Sequence, residues 1–299
     1  MARVPVSDPL AVNPRGEPAI QVRQAAAEDW PALRELLHQA ELMECLDPPE
    51  EVYAGLAAGR TFLAWAEGGL AGALQYRIRR QQYASLRALA ARHTPGAPPV
   101  VKALLAAAGQ SARGQGATVW WYLAPPGSVG EALRHQGFRL EEEVIELAKG
   151  DDRVPALGNR EARLRPVQEG DFPRLVALDE AAFAPFWRHD LLAFQSYLAR
   201  GHTFLVAELG GEVAGYLVVE EMPTGLYVIR VAVDPPQWGR GVGTRLLGEA
   251  IAMAREQGAF PVRLNTQRSN RRARRLYAWF GFRPTGRSLW AWTRPIGGL

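Results

Sequence analysis

The chain has 299 residues, of which 47% are hydrophobic and 22% charged, with a formal net charge of +4 at pH 7. This length predicts two domains of about 140 residues each, and the apolar fraction suffices for two cores. No run of about 20 apolar residues occurs, so the sequence predicts no membrane-spanning helix.

Arginine supplies nearly all of the positive charge, because the only lysines are Lys102 and Lys149. A nucleic-acid interface needs clustered charge and usually stacking aromatics on one face. The one dense basic cluster, Arg268, Arg271, Arg272, Arg274 and Arg275, is instead predicted to wrap around a single helix. We therefore expect no nucleic-acid partner and no membrane partner. The single Cys45 cannot form an internal disulfide, which indicates a reducing, cytoplasmic compartment. No spacing of His, Cys and Asp suits a metal, so we expect none.

The N-terminal residues 1–19 are rich in proline and have no apolar core segment, which predicts a flexible tail and not a signal peptide. A first domain is predicted at 20–149. Glycine, proline and aspartate then cluster at 150–160, which is typical of a linker. The second domain is predicted at 161–299.

The two predicted domains repeat each other at an almost constant offset. Val22–Leu33 aligns with Leu164–Leu175, and each segment is a strand followed by an acidic helix N-cap, Asp29 or Asp171, and an early proline. Further matches join Gly59–Leu63 to Gly201–Leu205, the hairpin glycines Gly68-Gly69 to Gly210-Gly211, and Gly137-Phe138 to Gly281-Phe282. Independent matches at one offset predict a duplicated domain.

A strand, a glycine-rich turn and a helix follow one another in the second domain. The strand is Tyr227–Val233, and the helix has apolar residues at helical spacing up to a C-terminal glycine, Gly258. The turn contains Gly239, Gly241 and Gly243. Glycines allow close backbone approach, and the amides and dipole of a helix N-terminus favour negative charge. This pattern predicts a pyrophosphate site.

A second motif follows, in which a strand at Pro261–Asn265 precedes the segment Ser269–Phe282. Together with the glycine turn, the chain resembles the GNAT superfamily of acyl-CoA-dependent N-acyltransferases. The resemblance lies in the Val-x-Pro strand end, the turn and the N-x-x-A-x-x-L-Y-x-x-x-G-F block, matched by Val233, Pro235, Gly241, Gly243, Asn270, Ala273, Leu276, Tyr277, Gly281 and Phe282.

The resemblance implies an α/β (α+β) architecture of two tandem GNAT folds, each with a mixed, mostly antiparallel sheet flanked by helices. It also implies acetyl-CoA as co-substrate. The expected cofactor-binding residues are Val231, Ala232, Val233, Gln237, Trp238, Gly239, Arg240, Gly241, Val242, Gly243, Thr244, Asn270, Ala273 and Tyr277. One departure is Trp238, which stands where the family usually has Gln or Arg. Since backbone amides bind most of the phosphate, we expect the site to remain functional.

Catalytic roles follow from the same resemblance. It places Tyr277 near the carrier sulfur as proton donor to the leaving thiolate, and an amide near Ala232 or Val233 at the developing oxyanion. Relatives that acetylate N-terminal alanines have a glutamate where this chain has Asn265. An amide cannot accept the proton, so Tyr227 or Glu220 is expected to relay it through water.

The first copy departs from the second at the carrier site. Its corresponding loop, His93–Pro99, has one glycine and three prolines and cannot present a row of amides. Residues 270 and 277 correspond to Pro126 and Leu133. These differences predict a degenerate GNAT-like domain with no cofactor site.

The predicted function is transfer of an acetyl group from acetyl-CoA to a primary amine by direct attack in a ternary complex. A small-molecule acceptor is expected, and the chain is expected to be a monomer or homodimer. Two alternative acceptors are a cysteinyl pseudodisaccharide, as for the two-domain GNAT mycothiol synthase, and a protein N-terminus. An alternative of another class is a non-catalytic acyl-CoA sensor or scaffold. The aromatics Phe183, Phe186, Trp187, Trp290 and Trp292 either line an acceptor pocket or belong to the core.

Overall fold

A computed structural model describes residues 20–66, 69–79, 82–92 and 97–297. The predicted tail at 1–19, Gly68 of the first hairpin and His93–Gly96 of the proline-rich loop lie outside the described residues. The chain forms two compact units. The first consists of residues up to Glu143 together with those from Leu289 onward, and the second is Val144–Ser288.

The first unit alternates short helices with an antiparallel meander. Its strands are β1 (Gln21–Gln24), β2 (Leu42–Cys45), β3 (Thr61–Ala66), β4 (Gly69–Arg79), β5 (Tyr83–Ala91), β6 (Val119–Ala124) and the first part of β7 (Arg139–Lys149). Its helices are α1 (Trp30–Gln39), α2 (Pro49–Ala57), α3 (Ala97–Gly114) and α4 (Ser128–His135). Strands β1, β3, β4 and β5 pair antiparallel in that order, and β6 is parallel to β5. The fully buried Trp120 on β6 lies in the core beneath α3.

The second unit repeats this order of elements, except that no counterpart of β2 lies among the described residues between its first two helices. Its strands are β8 (Arg163–Pro166), β9 (Thr203–Leu209), β10 (Glu212–Met222), β11 (Gly225–Val233), β12 (Val262–Gln267) and β13 (Arg283–Pro295), whose last part lies in the first unit. Its helices are α5 (Phe172–Ala182), α6 (Leu191–Ala199), α7 (Val242–Gln257) and α8 (Arg271–Trp279). Strands β8 to β11 form an antiparallel meander, and β12 is parallel to β11.

Helices cover both faces of this second sheet. Successive side chains along its strands point to opposite faces, and both sets of side chains are buried. Tyr216 and Val218 of β10 pack in the core beneath α5 and α6, whereas Leu217 and Val219 pack in the core beneath α7. Helix α7 buries the predicted apolar positions Leu246, Leu247, Ala250, Ile251 and Ala254 and ends at Gly258 with φ 64°. The prediction for this helix is confirmed. The fold class is likewise a mixed α/β architecture with mostly antiparallel sheets.

Each unit is completed by a strand segment distant in sequence. Residues Val144–Lys149 of β7 pair antiparallel with β12 in the second unit. Residues Trp290–Pro295 of β13 pair antiparallel with β6 in the first unit. The domain ranges 20–149 and 161–299 stay a prediction, and the compact units differ from them at these two strands. Trp292 is therefore buried in the core of the first unit.

A repeated ion pair at the start of each unit supports the duplication and corrects one prediction. Arg23 donates two hydrogen bonds of 2.7 Å to Asp29, and Arg165 donates bonds of 2.7 and 2.8 Å to Asp171. The predicted N-caps Asp29 and Asp171 make no side-chain bond to their helices. Each carboxylate instead accepts the amide three residues earlier, because the arginine on the preceding strand holds it there.

None of the described helices combines the length and apolar character that crossing a membrane requires. Within the same described ranges, no group of three His, Cys, Asp or Glu residues is arranged to hold a metal ion.

Candidate active site in the second unit

A cleft of about 420 Å³ opens where two parallel strands of the second unit separate. Strands β11 and β12 pair only from Leu226–Val228 to Val262–Leu264. A bulge in the β10–β11 pairing places one extra residue, Ile229, immediately after the last pair. Both strands continue beyond this point, and their diverging ends line the cleft.

Among the described residues, no strand pairs with the edge of β11 that faces this cleft. The Asp234 amide donates to the Ala214 carbonyl of β10 at 2.9 Å, and the pairing register continues with Ala232 opposite Tyr216. Because strand amides alternate in direction, Ala232 bonds toward β10, whereas Val231 and Val233 point their amides into the cleft. The amide available for an oxyanion is therefore that of Val231 or Val233.

The glycine turn forms one end of the cleft. Gly239 and Gly241 have φ of 77° and 78°, a left-handed conformation that side chains disfavour. Gly241 is the N-cap of α7, and its carbonyl accepts the amides of Asn159 and Arg245. The amides of residues 242–244 start the helix and have no acceptor in its preceding turn. Such a helix N-terminus binds anions.

Two amides in this turn are engaged in local bonds. Trp238 donates its amide to the Pro235 carbonyl at 3.1 Å, and Arg240 donates to Gln237 at 3.4 Å. The Trp238 ring nitrogen also donates to the Val233 carbonyl at 2.8 Å, and the Arg272 guanidinium lies 3.6 Å from the ring centroid. Trp238 therefore ties the turn to the strand end and to α8.

Helix α8 contributes the predicted tyrosine. Asn270 caps the helix through Oδ1, which accepts the Ala273 amide at 3.1 Å, as the sequence predicts. Tyr277 lines the cleft two turns later and is 5% exposed. Burial raises the pKa of Tyr277 to about 12, while the charge of Arg230 partly opposes the shift. The phenol is consequently protonated at neutral pH and can act as a proton donor.

The predicted site residues divide into two groups. All of the predicted cofactor-binding residues line the cleft except Arg240, whose guanidinium bonds the Gln237 side chain at 2.6 Å. Tyr227 and Glu220 face each other across the β10–β11 pairing and do not line the cleft. Tyr227 is half-buried, and burial raises its pKa to about 12, with Glu146 adding to the shift and a hydrogen bond with Asn265 opposing it.

A buried ion pair on the α5 side was not predicted. Asp179 is fully buried and accepts three hydrogen bonds from Arg230, at 3.0, 2.9 and 2.7 Å, and one from the Tyr216 hydroxyl. Arg230 also bonds the Trp187 carbonyl at 2.5 Å and lies 3.6 Å from the Phe183 ring centroid. Arg230 and Phe183 both line the cleft, so this pair fixes the wall opposite α7 and α8.

The sequence signal for this pair is weak but present. Asp179 is one turn after Leu175 on the apolar face of α5, and Arg230 interrupts an otherwise apolar strand. The acceptor-site expectation also needs correction, because Trp290 and Trp292 belong to the first unit, with Trp292 in its core, and only Phe183 of the five proposed aromatics lines the cleft.

Residues 170–282, which carry the whole cleft, match the Acetyltransferase (GNAT) family. Over these residues the second unit is similar to GNAT acetyltransferases. GNAT acetyltransferases use acetyl-CoA as co-substrate, and the prediction that this chain is an acyltransferase is confirmed.

Curated GNAT relatives match the chain over about a third to two fifths of its length. A putative ribosomal protein bS18-alanine N-acetyltransferase of Bacillus subtilis is 25% identical over 42% of this chain and 83% of the relative. N-acetyltransferase 8F1 of Rattus norvegicus is 34% identical over 34% of this chain. The chain spans half the length of that relative.

Solved GNAT structures match almost the whole chain. A GCN5-related N-acetyltransferase from Sphaerobacter thermophilus has a TM-score of 0.62 at 22% identity, covering 93% of this chain and 96% of that one. A tandem GNAT protein from the clavulanic acid biosynthesis pathway has a TM-score of 0.59 at 17% identity, covering 94% of this chain and all of that one. These likenesses confirm the predicted tandem GNAT fold.

Proposed function

We propose that the second unit transfers an acetyl group from acetyl-CoA to the primary amine of a small molecule by direct attack in a ternary complex. The observation that carries the proposal is the cleft between β11 and β12. It joins a helix N-terminus suited to a diphosphate, an unpaired strand edge and a buried phenol in one continuous lining.

The carrier is held by backbone groups in this proposal. Its diphosphate accepts the amides at Gly241–Thr244, and its pantetheine arm lies along β11 as an added strand bonded to Val231 and Val233. The inward amide of one of these two valines polarises the thioester carbonyl. Such a donor lowers the barrier by about 3 kcal/mol when it is aimed at the developing oxyanion.

Tyr277 is the proposed general acid. The amine nitrogen attacks the thioester carbon, the C–S bond breaks, and the departing thiolate takes the phenolic proton. An ordinary thiol has a pKa of about 8.5 in water, but the burial that raises the pKa of Tyr277 to about 12 also strengthens the thiolate as a base. The acylated nitrogen then gives one of its two protons to the phenolate, which restores the phenol and leaves the amide with one N–H.

We assign no carrier site to the first unit, since its corresponding gap is occupied by its own chain. Strand β6 pairs with β5 only at Tyr83–Ser85, and β2 pairs with β5 at Ala88–Ala91. Strand β4 occupies the other edge of β5, so β2 lies in the gap, where Glu44 accepts a bond from Tyr122 of β6 at 3.5 Å. This arrangement supports the degenerate first copy.

The acceptor is proposed as a small amine. A protein N-terminal alanine is the second candidate, because the Bacillus subtilis relative is named for that reaction. A screen of alkylamines against peptides with N-terminal alanine, with thiol release as the readout, separates the two. We propose a reducing, cytoplasmic compartment, which the single free Cys45 supports.

Tyr277→Phe tests the proposal. The phenylalanine keeps the ring packed on Phe282 and removes only the proton donor. We expect a loss in kcat of about 10²-fold or more with unchanged CoA affinity by calorimetry. Unchanged kcat would reject the acid assignment. A wild type that binds acetyl-CoA but releases no thiol with any amine in the screen would favour the non-catalytic sensor.

A further inference from the structure

The face of the second sheet beneath α5 and α6 carries a polar side chain, that of Asn265, where β11 and β12 begin to separate. Asn265 lines the cleft and is exposed on this face, because its neighbours Leu264 and Thr266 point inward on the α7 side. In the β12–β7 pairing, the residue directly opposite Asn265 is Glu146. Side chains at such paired positions share a face, with Cβ atoms about 5 Å apart.

Neighbouring residues orient the side chain of Glu146. Its Oε1 accepts a hydrogen bond of 2.8 Å from the Thr285 hydroxyl, which itself accepts the Arg287 amide. Its side chain is only half-buried. One carboxylate oxygen is therefore oriented by a hydroxyl, and no hydrogen bond from the described part of the chain reaches Oε2.

Charged and polar groups around Glu146 make the area suitable for a cation. Tyr227 lies opposite Glu220 in the β10–β11 pairing, and, besides burial, the charges of Glu146 and Glu220 both raise the pKa of its phenol. Arg263, the cation nearest in register, directs its guanidinium to the Thr224 carbonyl at 2.7 Å. Two carboxylates thus flank the tyrosine, whereas the arginine is engaged elsewhere.

We propose that Glu146 binds the ammonium group of the acceptor and accepts its proton. The inference rests on the proposed acetyl transfer and assigns the base that the reaction requires. Asn265 cannot accept a proton, but the strand beside it places a carboxylate on the same face at the same level of the sheet. The residue comes from β7, outside the segment that carries the GNAT motifs, so motif matching does not reach it.

The proton and electron balance is complete with these groups. The ammonium gives one proton to Glu146, and the free amine forms the C–N bond as the C–S bond breaks. Tyr277 protonates the thiolate and is restored by the second N–H proton. Glu146 then releases its proton to solvent. An alkyl amine of pKa about 10.4 is neutral in only about one molecule in a few thousand at pH 7, which is why this base matters.

The arrangement also specifies the acceptor class. Glu146 and Glu220 favour an acceptor that arrives as a cation, such as an alkyl amine, over a neutral aryl amine or an amine with a neighbouring carboxylate. Cation and carrier approach from opposite faces of the sheet, since Tyr277 packs in the core on the α7 side.

The test compares Glu146→Gln with wild type on two acceptors of similar size, ethylamine and 2,2,2-trifluoroethylamine. The second amine is mostly neutral at pH 7 and needs no base for its first deprotonation. We expect kcat/KM to fall about 10²-fold for ethylamine and less than about tenfold for the fluorinated amine. The deficit with ethylamine should shrink as pH rises, and Glu146→Asp should recover part of the activity.

Two controls separate the outcomes. Glu141→Gln makes the same charge change at an exposed position on β7 and should leave both rates unchanged. CoA affinity, measured by calorimetry, should not change in Glu146→Gln. Equal losses of kcat/KM with both amines, or no loss with either, would overturn the role of Glu146 but leave the proposed acetyl transfer intact. A wild type that binds no CoA would instead refute the proposed function, and the role of Glu146 with it.

Discussion

Removing the Asp179 carboxylate should destabilise the second unit more than any surface charge change. In Asp179→Ala the Arg230 guanidinium, whose side chain is 10% exposed, loses its counter-ion. The Tyr216 hydroxyl and the His189 amide, which bonds Asp179 at 2.6 Å, lose their acceptor as well. Breaking a buried pair by removing one partner costs about 3–5 kcal/mol, because the remaining charge is left uncompensated.

Hydrogen exchange with mass spectrometry measures this loss, because peptides of the second unit report its own free energy of unfolding. The control is Glu249→Gln, which removes a half-exposed i,i+4 partner of Arg245 and should cost about 0.3–0.5 kcal/mol. The double variant Asp179→Ala/Arg230→Met removes both charges and should be less destabilised than Asp179→Ala alone. A loss in Asp179→Ala no larger than in Glu249→Gln would refute this reasoning.

Two further predictions concern the ion pair between Arg165 and Asp171 and the glycine turn before α7. Hydrogen bonding from Arg165 lowers the pKa of Asp171, so the pair stabilises the fold above the carboxyl's unfolded pKa, near 4, and loses this contribution as pH falls. Asp171→Asn should therefore lower the Tm most at neutral pH, and a deficit that stays constant down to pH 3 would contradict this. Trp238→Phe should weaken CoA binding by less than about tenfold in calorimetry, because backbone amides bind the diphosphate; a hundredfold loss would assign the phosphate contact to the indole N–H that now bonds Val233.

Local features of the second unit were readable because one short segment determines each of them. Helix α7, its terminal Gly258, the left-handed Gly241 and the Asn270 cap all follow from spacing and residue type. The N-cap role of Asp29 was wrong, because the sequence pattern does not show that Arg23, six residues earlier, binds the same carboxylate. The ion pair with Arg23 therefore overrides the preference of Asp29 for capping its helix.

Features that depend on strand pairing were not readable. The residues of β7 indicate a strand but not its partner, so neither its place beside β12 nor the pairing of Glu146 with Asn265 followed from the sequence. For the same reason, the sequence did not show that β2 fills the gap between β5 and β6 in the first unit. Loop composition predicted a degenerate first copy, whereas the strand that occupies the gap becomes visible only in the fold.

The central claim is that one carrier site exists per chain and that it lies at the glycine turn of the second unit. Gly241→Val tests the location, since φ is 78° and an added Cβ would lie 3.0 Å from the Asn159 amide nitrogen. Gly248→Ala on the same helix is the control, because nothing lies within 4 Å of its added Cβ.

Calorimetric titration with CoA is the most direct measurement. The account predicts one CoA per chain for the wild type and for Gly248→Ala, and at least a hundredfold weaker binding for Gly241→Val with its circular dichroism unchanged. Two CoA molecules per chain, no binding by the wild type, or full affinity in Gly241→Val would contradict it.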